Sequence, residues 1–394
     1  MAKTLMAVDA GTGSVRAVLF SLEGEQLGCV QQEWTHREDP RYPGSMDFDW
    51  VHNWDLARGC IRGVIEQTGV DPHDIAAVST TCMREGIVLY DKDGQEIWAC
   101  ANVDARSDDE VAQLVHMNPE LEKQIYRESG QTYALGALPR LFWVKNKMPE
   151  VYEKTAMCTM FNDWLIYKMT GVFSSEPSNA CTTGIFDLKA RDWDDQIAAS
   201  IGLKTGIFPK ISECGTVVAQ VGAKGAAETG LAEGTPVVAG GGDAQLGCVG
   251  VGVVDANQAA IFGGSFWQYE YNTDEAKTDE HCRVRVNCHS VPGIWQYEAL
   301  AFKPGMVMRW YGDAFCQYEK ELSKTTGRDP YDLMNEKAKD IPAGCYGMMC
   351  AFSDVMNYIS WRHASPMFIN FDFDPDKFNR YTFYRAIMEN TAMV

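Results

Sequence analysis

Positive charge, long apolar runs and paired cysteines are all scarce in this chain. Lysine and arginine number 35 against 54 aspartates and glutamates, a net charge of −19. So acidic a surface argues against a nucleic-acid footprint or a patch for anionic membranes. A polyanionic ligand would have to be attracted locally, by arginine, metal or backbone dipoles. No apolar stretch approaches the roughly 20 residues of a membrane helix. The first residues also lack the hydrophobic core of a signal peptide. The thirteen cysteines are scattered, odd in number and without a Cys-x-x-Cys pair, which fits reduced thiols and a cytoplasmic protein. His281, Cys282, Cys288 and His289 cluster, but Cys-x5-Cys is poor zinc spacing. What remains is ordinary globular composition, 46% apolar and 23% charged. The length favours two domains. The expected partners are small molecules, and a homodimer is compatible with the sequence.

Against that background two glycine-rich segments stand out, each carrying an aspartate. The first is Asp9-Ala10-Gly11-Thr12-Gly13-Ser14. Leu5 to Asp9 reads as a buried strand, Val15 to Leu22 as a second and Gln26 to Gln31 as a third. The loop therefore joins strand to strand, unlike a Rossmann or P-loop turn, which joins strand to helix. Free backbone N–H groups and small hydroxyls in such a hairpin suit an anion, and an adjacent acid suits a bridging cation. An ordinary hairpin with a surface aspartate is the competing reading. The second segment is Gly240-Gly241-Gly242-Asp243, read as a turn between an apolar strand (Thr235 to Ala239) and a helix from Ala244. A strand from Gln258 to Phe262 then ends in Gly263-Gly264-Ser265, again with a hydroxyl.

Helical periodicity places helices from Trp50 to Gly69, Leu138 to Asn146, Asp163 to Met169, Met306 to Lys324, Pro330 to Ala338 and Tyr381 to Val394. The last has an apolar face of Tyr384, Ile387, Met388, Thr391 and Ala392, and the chain stops without a C-cap. The expectation is that this face is bare and that the chain is a fragment.

Two loops carry paired charges: Met83-Arg84-Glu85-Gly86, and Asn102-Val103-Asp104-Ala105-Arg106. Carboxylates accept hydrogen bonds from hydroxyls and guanidinium donates in a fixed fork, so Arg84, Glu85, Asp104 and Arg106 are candidates for binding a polyol. Two surface ion pairs of little consequence are the alternative.

The order of these motifs resembles the FGGY family of carbohydrate kinases, within the ribonuclease H/actin-like superfamily. Leu138-Pro139-Arg140-Leu141-Phe142-Trp143 is similar to that family's first signature, with Arg140 where lysine is usual. Asp163 to Gly171, Ser178-Asn179-Ala180, and Tyr384-Arg385-Ala386 with Glu389 add to the likeness. Segments Leu5 to Ser14, Pro43 to Asp49, Met83 to Tyr90, Ile97 to Arg106, Gly240 to Cys248 and Phe352-Ser353-Asp354 resemble one branch of it.

The resemblance implies an α/β fold of two actin-like (ribonuclease H-like) domains with a ligand cleft between them. Residues 1–244 would bind substrate, and residues 245–394, apparently incomplete, would bind nucleotide. It implies transfer of the γ-phosphoryl group of ATP to the terminal hydroxyl of a small polyhydroxy substrate. In that branch the substrate is linear 4,5-dihydroxy-2,3-pentanedione. Asp243 would be the base. Asp9, with Asp243, would hold Mg²⁺. Gly11, Thr12, Gly13 and Ser14 would cradle phosphates with Gly263, Gly264 and Ser265. Arg16 would add positive charge or lie on the outer face of its strand. Rival readings are a pentulose kinase of the same family, a non-catalytic actin-like ligand sensor and a metal-dependent hydrolase.

Overall fold

The computed structural model describes residues 3–133, 136–264, 267–301, 304–352 and 366–393. Ser265 and the Ser353-Asp354 pair lie outside the described residues. The chain forms two compact units. One contains residues 3–259 and 271–298, and the other contains the described residues of 260–270 and from 299 onward. The division drawn at Gln245 falls inside the helix Asp243–Gly250.

The first unit is built on strands β1 (Thr4–Ala10), β2 (Ser14–Ser21) and β3 (Gln26–Glu33), an antiparallel meander, with β4 (Ile75–Cys82) parallel to β1. A smaller sheet contains β5 (Ile87–Tyr90), β6 (Glu96–Cys100) and β7 (Met157–Met160), in the order β6-β5-β7. A two-residue ribbon, β8 (Phe186–Asp187) with β9 (Asp192–Trp193), follows. The chain then adds β10 (Val217–Gln220) and β11 (Pro236–Gly242) to the main sheet, whose order is β10-β11-β4-β1-β2-β3.

Alternation explains the register. Met6, Val8 and Ala10 of β1 and Val15, Ala17 and Leu19 of β2 are buried in one core, as a period of two requires. The helix Trp50–Thr68 packs on that face through Trp54, Ala57, Ile61 and Val64, a helical period. Asp49 caps its first turn and Gly69 ends it in the left-handed region, at φ 64°.

β1, β4 and β11 run parallel and side by side, with Ala10 and Gly242 both in register with Cys82. Their carboxyl ends therefore meet along one edge. Open parallel sheets bind ligands beyond that edge.

Four further strands, β12 (Ala259–Gly263), β13 (Trp267–Thr273), β14 (Arg285–Cys288) and β15 (Trp295–Ala301), are ordered β12-β13-β15-β14. The second unit holds the short pair β16 (Met349–Ala351) and β17 (Met367–Ile369). Two sequence expectations fail here. The helix expected from Met306 to Lys324 is two helices, Pro304–Phe315 and Gln317–Thr326, because Cys316 leaves helical geometry at φ −115° and ψ 44°. The apolar face of the helix Arg380–Met393 is not bare. Tyr384 and Ile387 are fully buried and Thr391 nearly so, in a core with Val307, Tyr311, Met334 and Phe352. Met388 is half-buried and only Ala392 of that face is exposed.

Candidate functional site

Three candidate residues sit at the three parallel strand ends. Asp9 is the penultimate residue of β1, Arg84 lies two residues past β4, and Asp243 directly follows β11. Asp243 opens the helix Asp243–Gly250, and its Oδ1 accepts from the N–H of Ala244 at 2.8 Å. Its side chain is 48% exposed. Loss of hydration from the surrounding protein pushes the carboxyl up to about 6, opposed by the Arg84 charge and the Ala244 N–H and reinforced by Glu85 and Asp9.

The expected second glycine turn is a strand end. Gly240, Gly241 and Gly242 belong to β11, and the chain turns at Asp243 itself. The glycines serve close approach. A Cβ at Gly242 would lie 2.5 Å from Gln245 Oε1 and 2.9 Å from Arg84 Cδ. The Gly242 N–H donates to Ser178 Oγ at 2.9 Å, and that hydroxyl donates to buried Glu176 at 2.8 Å. Ser178, one of the family-like positions, thus holds the strand end that carries Asp243.

Arg84 and Glu85 are almost entirely buried. Glu85 takes a positive φ of 69°, rare for a residue with a side chain. The Arg84 guanidinium meets Glu298 Oε2 at 2.5 Å and, through Nε, Asp243 Oδ1 at 3.8 Å. Glu85 Oε1 accepts from Arg285 at 2.8 Å. Sequence reasoning missed Arg285 and Glu298. Charged residues in otherwise buried strand segments were the available signal.

Asp104 and Arg106 form a different structure. Arg106 donates from Nε and Nη2 to Asp104 Oδ2 at 2.8 and 2.6 Å, and it lies over the rings of Trp98 and Trp143. Asp104 Oδ2 also accepts from the N–H of Met46 at 2.6 Å. Both side chains are buried, at 0% and 2% exposure, and their polar atoms are taken by one another, by Asp47, which meets Arg106 Nη2 at 2.5 Å, and by backbone N–H groups. This pair braces the loop. Arg140 joins the two loops, donating to the carbonyls of Glu85, Asn102 and Asp104.

In the first glycine loop the Gly11 N–H donates to Ser14 O at 2.9 Å, closing the hairpin. Three loop carbonyls are occupied. Trp34 Nε1 donates to Gly11 O at 3.0 Å, His36 Nε2 contacts Thr12 O at 2.7 Å, and the Trp34 N–H donates to Gly13 O at 3.1 Å. Thr12 and Gly13 themselves are exposed. Engaged carbonyls and an exposed Thr12-Gly13 backbone make this loop less repulsive to an anion. Asn102 Nδ2 donates to Thr12 Oγ1 at 3.0 Å, linking this loop to the Asp104 loop. Arg16 turns back on Asp9, with Nη2 at 2.6 Å from Oδ2. Gly263 ends β12 and Gly264 follows it, both in the second unit.

For a divalent cation the donor set of the first unit fits. The Asp9 charge adds to the upward push on the Asp243 carboxyl, a crowding of negative charge that a cation at Asp243 would relieve. Among the described residues no group of three or more His, Cys, Asp or Glu side chains could hold a metal ion, so His281, Cys282, Cys288 and His289 form no such site.

The fold has close counterparts among solved sugar kinases. A xylulose kinase from Rhodospirillum rubrum superposes with a TM-score of 0.84 at 22% identity, over 99% of this chain and 77% of that one. A glycerol kinase from Plasmodium falciparum, solved with ADP, gives 0.80 at 16% identity, over 99% and 76%. These define the class as the two-domain, actin-like α/β fold of sugar kinases. The family model for the N-terminal domain of the FGGY family of carbohydrate kinases matches residues 4–250. The chain is 47% identical over 391 residues to an autoinducer-2 kinase from Klebsiella pneumoniae, covering 99% of this chain and 74% of that protein. It is 48% identical to one from Escherichia coli K12 with the same coverage. The chain belongs to the FGGY family of carbohydrate kinases.

Proposed function

We propose that the chain phosphorylates autoinducer-2, as the linear form of 4,5-dihydroxy-2,3-pentanedione, at its terminal hydroxyl. ATP is the donor, and the setting is processing of a quorum-sensing signal in the cytoplasm. The observation that carries the chemistry is the half-exposed Asp243 carboxyl, raised to about 6 beside Arg84 at the edge of three parallel strands. Near neutral pH such a group is still mostly ionised, yet it is a stronger base than an ordinary aspartate.

In the proposed reaction Asp243 accepts the proton of the primary hydroxyl as that oxygen attacks the γ-phosphorus. The bond from the γ-phosphorus to the bridging oxygen breaks, and ADP leaves. Arg84 and Glu85 orient the acceptor, and the loop Gly11, Thr12, Gly13 and Ser14 faces phosphate oxygens, with the Gly11 N–H closing the hairpin and the amides that follow it turned to the phosphate. Mg²⁺, held by Asp9 and Asp243, would neutralise phosphate charge when bound. Gly263, Gly264 and Ser265 are proposed as the second phosphate loop. Asp104 and Arg106 act as the brace of the acceptor loop, and Arg16 acts by orienting Asp9.

The test is Asp243→Asn in an assay coupled to ADP release. Turnover should fall by about 100-fold or more, the usual worth of a general base, while calorimetric binding of the acceptor stays within a few-fold. Turnover close to the parent's removes Asp243 from the chemistry.

A further inference from the structure

Arg285 and Glu298 face each other in register across β14 and β15. The two oxygens of Glu298 are divided between two guanidinium groups, Oε2 toward Arg84 at 2.5 Å and Oε1 toward Arg285 at 3.2 Å. Arg285 passes the contact on. Its Nη2 reaches Glu85 Oε1 at 2.8 Å, and its Nε and Nη2 bracket Gln131 Oε1 at 2.9 and 2.7 Å. Because Arg84 and Glu85 are consecutive, the four charged side chains close a ring, each at most 8% exposed.

Burial this deep makes the ring a poor device for stability. Desolvating such ions costs about as much as their attraction returns, and apolar side chains of the same volume serve a fold as well. What the ring does fix is direction. The Arg285 guanidinium is planar and engaged along more than one N–H edge, and that of Arg84 is held at Nη2 by Glu298, so their orientation is set. Glu85 has a strained backbone, its carbonyl taken by Arg140 and its carboxylate by Arg285.

We propose that Arg285 and Glu298 are positioning residues for the acceptor. They hold the Arg84 guanidinium and the Glu85 carboxylate in the geometry that receives its hydroxyl and carbonyl oxygens. The assignment rests on the reading of Arg84 and Glu85 as the acceptor-binding pair. Neither Arg285 nor Glu298 touches the acceptor. They act through the residues they orient, as a preorganised site requires.

The experiment is steady-state kinetics of the purified chain with ATP and linear 4,5-dihydroxy-2,3-pentanedione, with thermal unfolding measured in parallel. Three variants are compared: Glu298→Gln, Arg285→Lys, and the double exchange Arg285→Glu with Glu298→Arg. Glu298→Gln should raise the acceptor KM by about 10-fold or more, the worth of one hydrogen bond to a charged group, and leave the ATP KM within about two-fold. Arg285→Lys, which keeps the charge and loses the fork, should show the same split in smaller degree. The double exchange restores the cross-strand ion pair but sets like charges against Arg84 and Glu85, so the unfolding temperature should stay below the parent's. Its acceptor KM should stay raised, because Arg84 then faces a cation.

A double exchange that restores both unfolding temperature and acceptor KM would show that the pair only supports the fold. Equal weakening of acceptor and ATP would overturn the proposal as well. If Glu298→Gln does not fold, Glu298→Asp withdraws the charge by one methylene and must show the same split. A parent inactive on the dione contradicts the substrate assignment instead, and the same ratios are then read on the sugar it accepts.

Discussion

Gly240 lies against the carbonyl of Thr80, so close that a Cβ there would sit 1.5 Å from the oxygen and 2.6 Å from the carbonyl carbon. Both are backbone atoms in neighbouring parallel strands, β11 and β4. No side chain can swing aside to relieve the contact. Gly240→Ala should therefore cost more than about 3 kcal/mol, the upper end for overpacking, or prevent folding. Denaturant unfolding checks this, and a variant as stable as the parent would mean that the strands can part.

Arg84 and Asp104 should fail in different ways. Arg84→Ala removes the guanidinium nearest Asp243 and should raise the acceptor KM strongly and the ATP KM little. Asp104→Asn leaves the Arg106 guanidinium over two tryptophans with its buried counter-ion gone and only the half-exposed Asp47 still paired to it. Breaking one partner of a buried pair costs about 3 kcal/mol. Its kinetics should change less than its unfolding midpoint. The reverse pattern would place Asp104 against the substrate and Arg84 in the scaffold.

Arg140 ties the two acceptor-side loops together from that family-like position. Its side chain is buried and donates to the carbonyls of Glu85, Asn102 and Asp104. Arg140→Met would strand three acceptors, each worth about 1 kcal/mol or more when left unpaired in the interior. Arg140→Lys keeps the charge but reaches fewer of them, so its stability should fall between the two, by thermal unfolding.

Asp163 gives a pH signature. Unfolded, its carboxyl titrates near 4. In the fold, burial pushes it up to about 8, with the Ser175 hydroxyl, at 2.8 Å, opposing the rise. Between those values the folded chain holds a proton that the unfolded chain has released. The contribution to stability is complete below about pH 4 and is lost as the pH rises toward about 8. Asp163→Asn removes that dependence. Its melting temperature should fall less steeply between pH 5 and 8 than the parent's, and should exceed the parent's at the upper end. Identical slopes would show that Asp163 is ionised in the fold.

Much of this was legible in the sequence where period and chemistry agree. The hairpin around Gly11 and Gly13 is read from two alternating strands, and Asp9 and Asp243 from their places at strand ends. The glycines at 240 to 242 misled. Glycine marks a turn and a close approach with equal force, and only the position of Thr80 decides between them. Arg285 could not be joined to Glu85, 200 residues away along the chain, because nothing local records a contact between distant strands. The covered face of the helix Arg380–Met393 has the same cause. Its partners, Val307, Tyr311 and Met334, are identified by packing alone.

In the proposed reaction Asp243 activates the terminal hydroxyl of autoinducer-2. The most direct measurement incubates the purified chain with Mg²⁺, ATP and linear 4,5-dihydroxy-2,3-pentanedione, beside D-xylulose and glycerol at equal concentration. Monophosphate and ADP are then followed as the pH is varied. The monophosphate of the dione should form in preference to the other two, be abolished by Asp243→Asn, and form at a rate that falls as the pH drops through about 6. Preferential phosphorylation of D-xylulose or glycerol, or a dione phosphate formed equally well by the Asn variant, would contradict the proposed reaction.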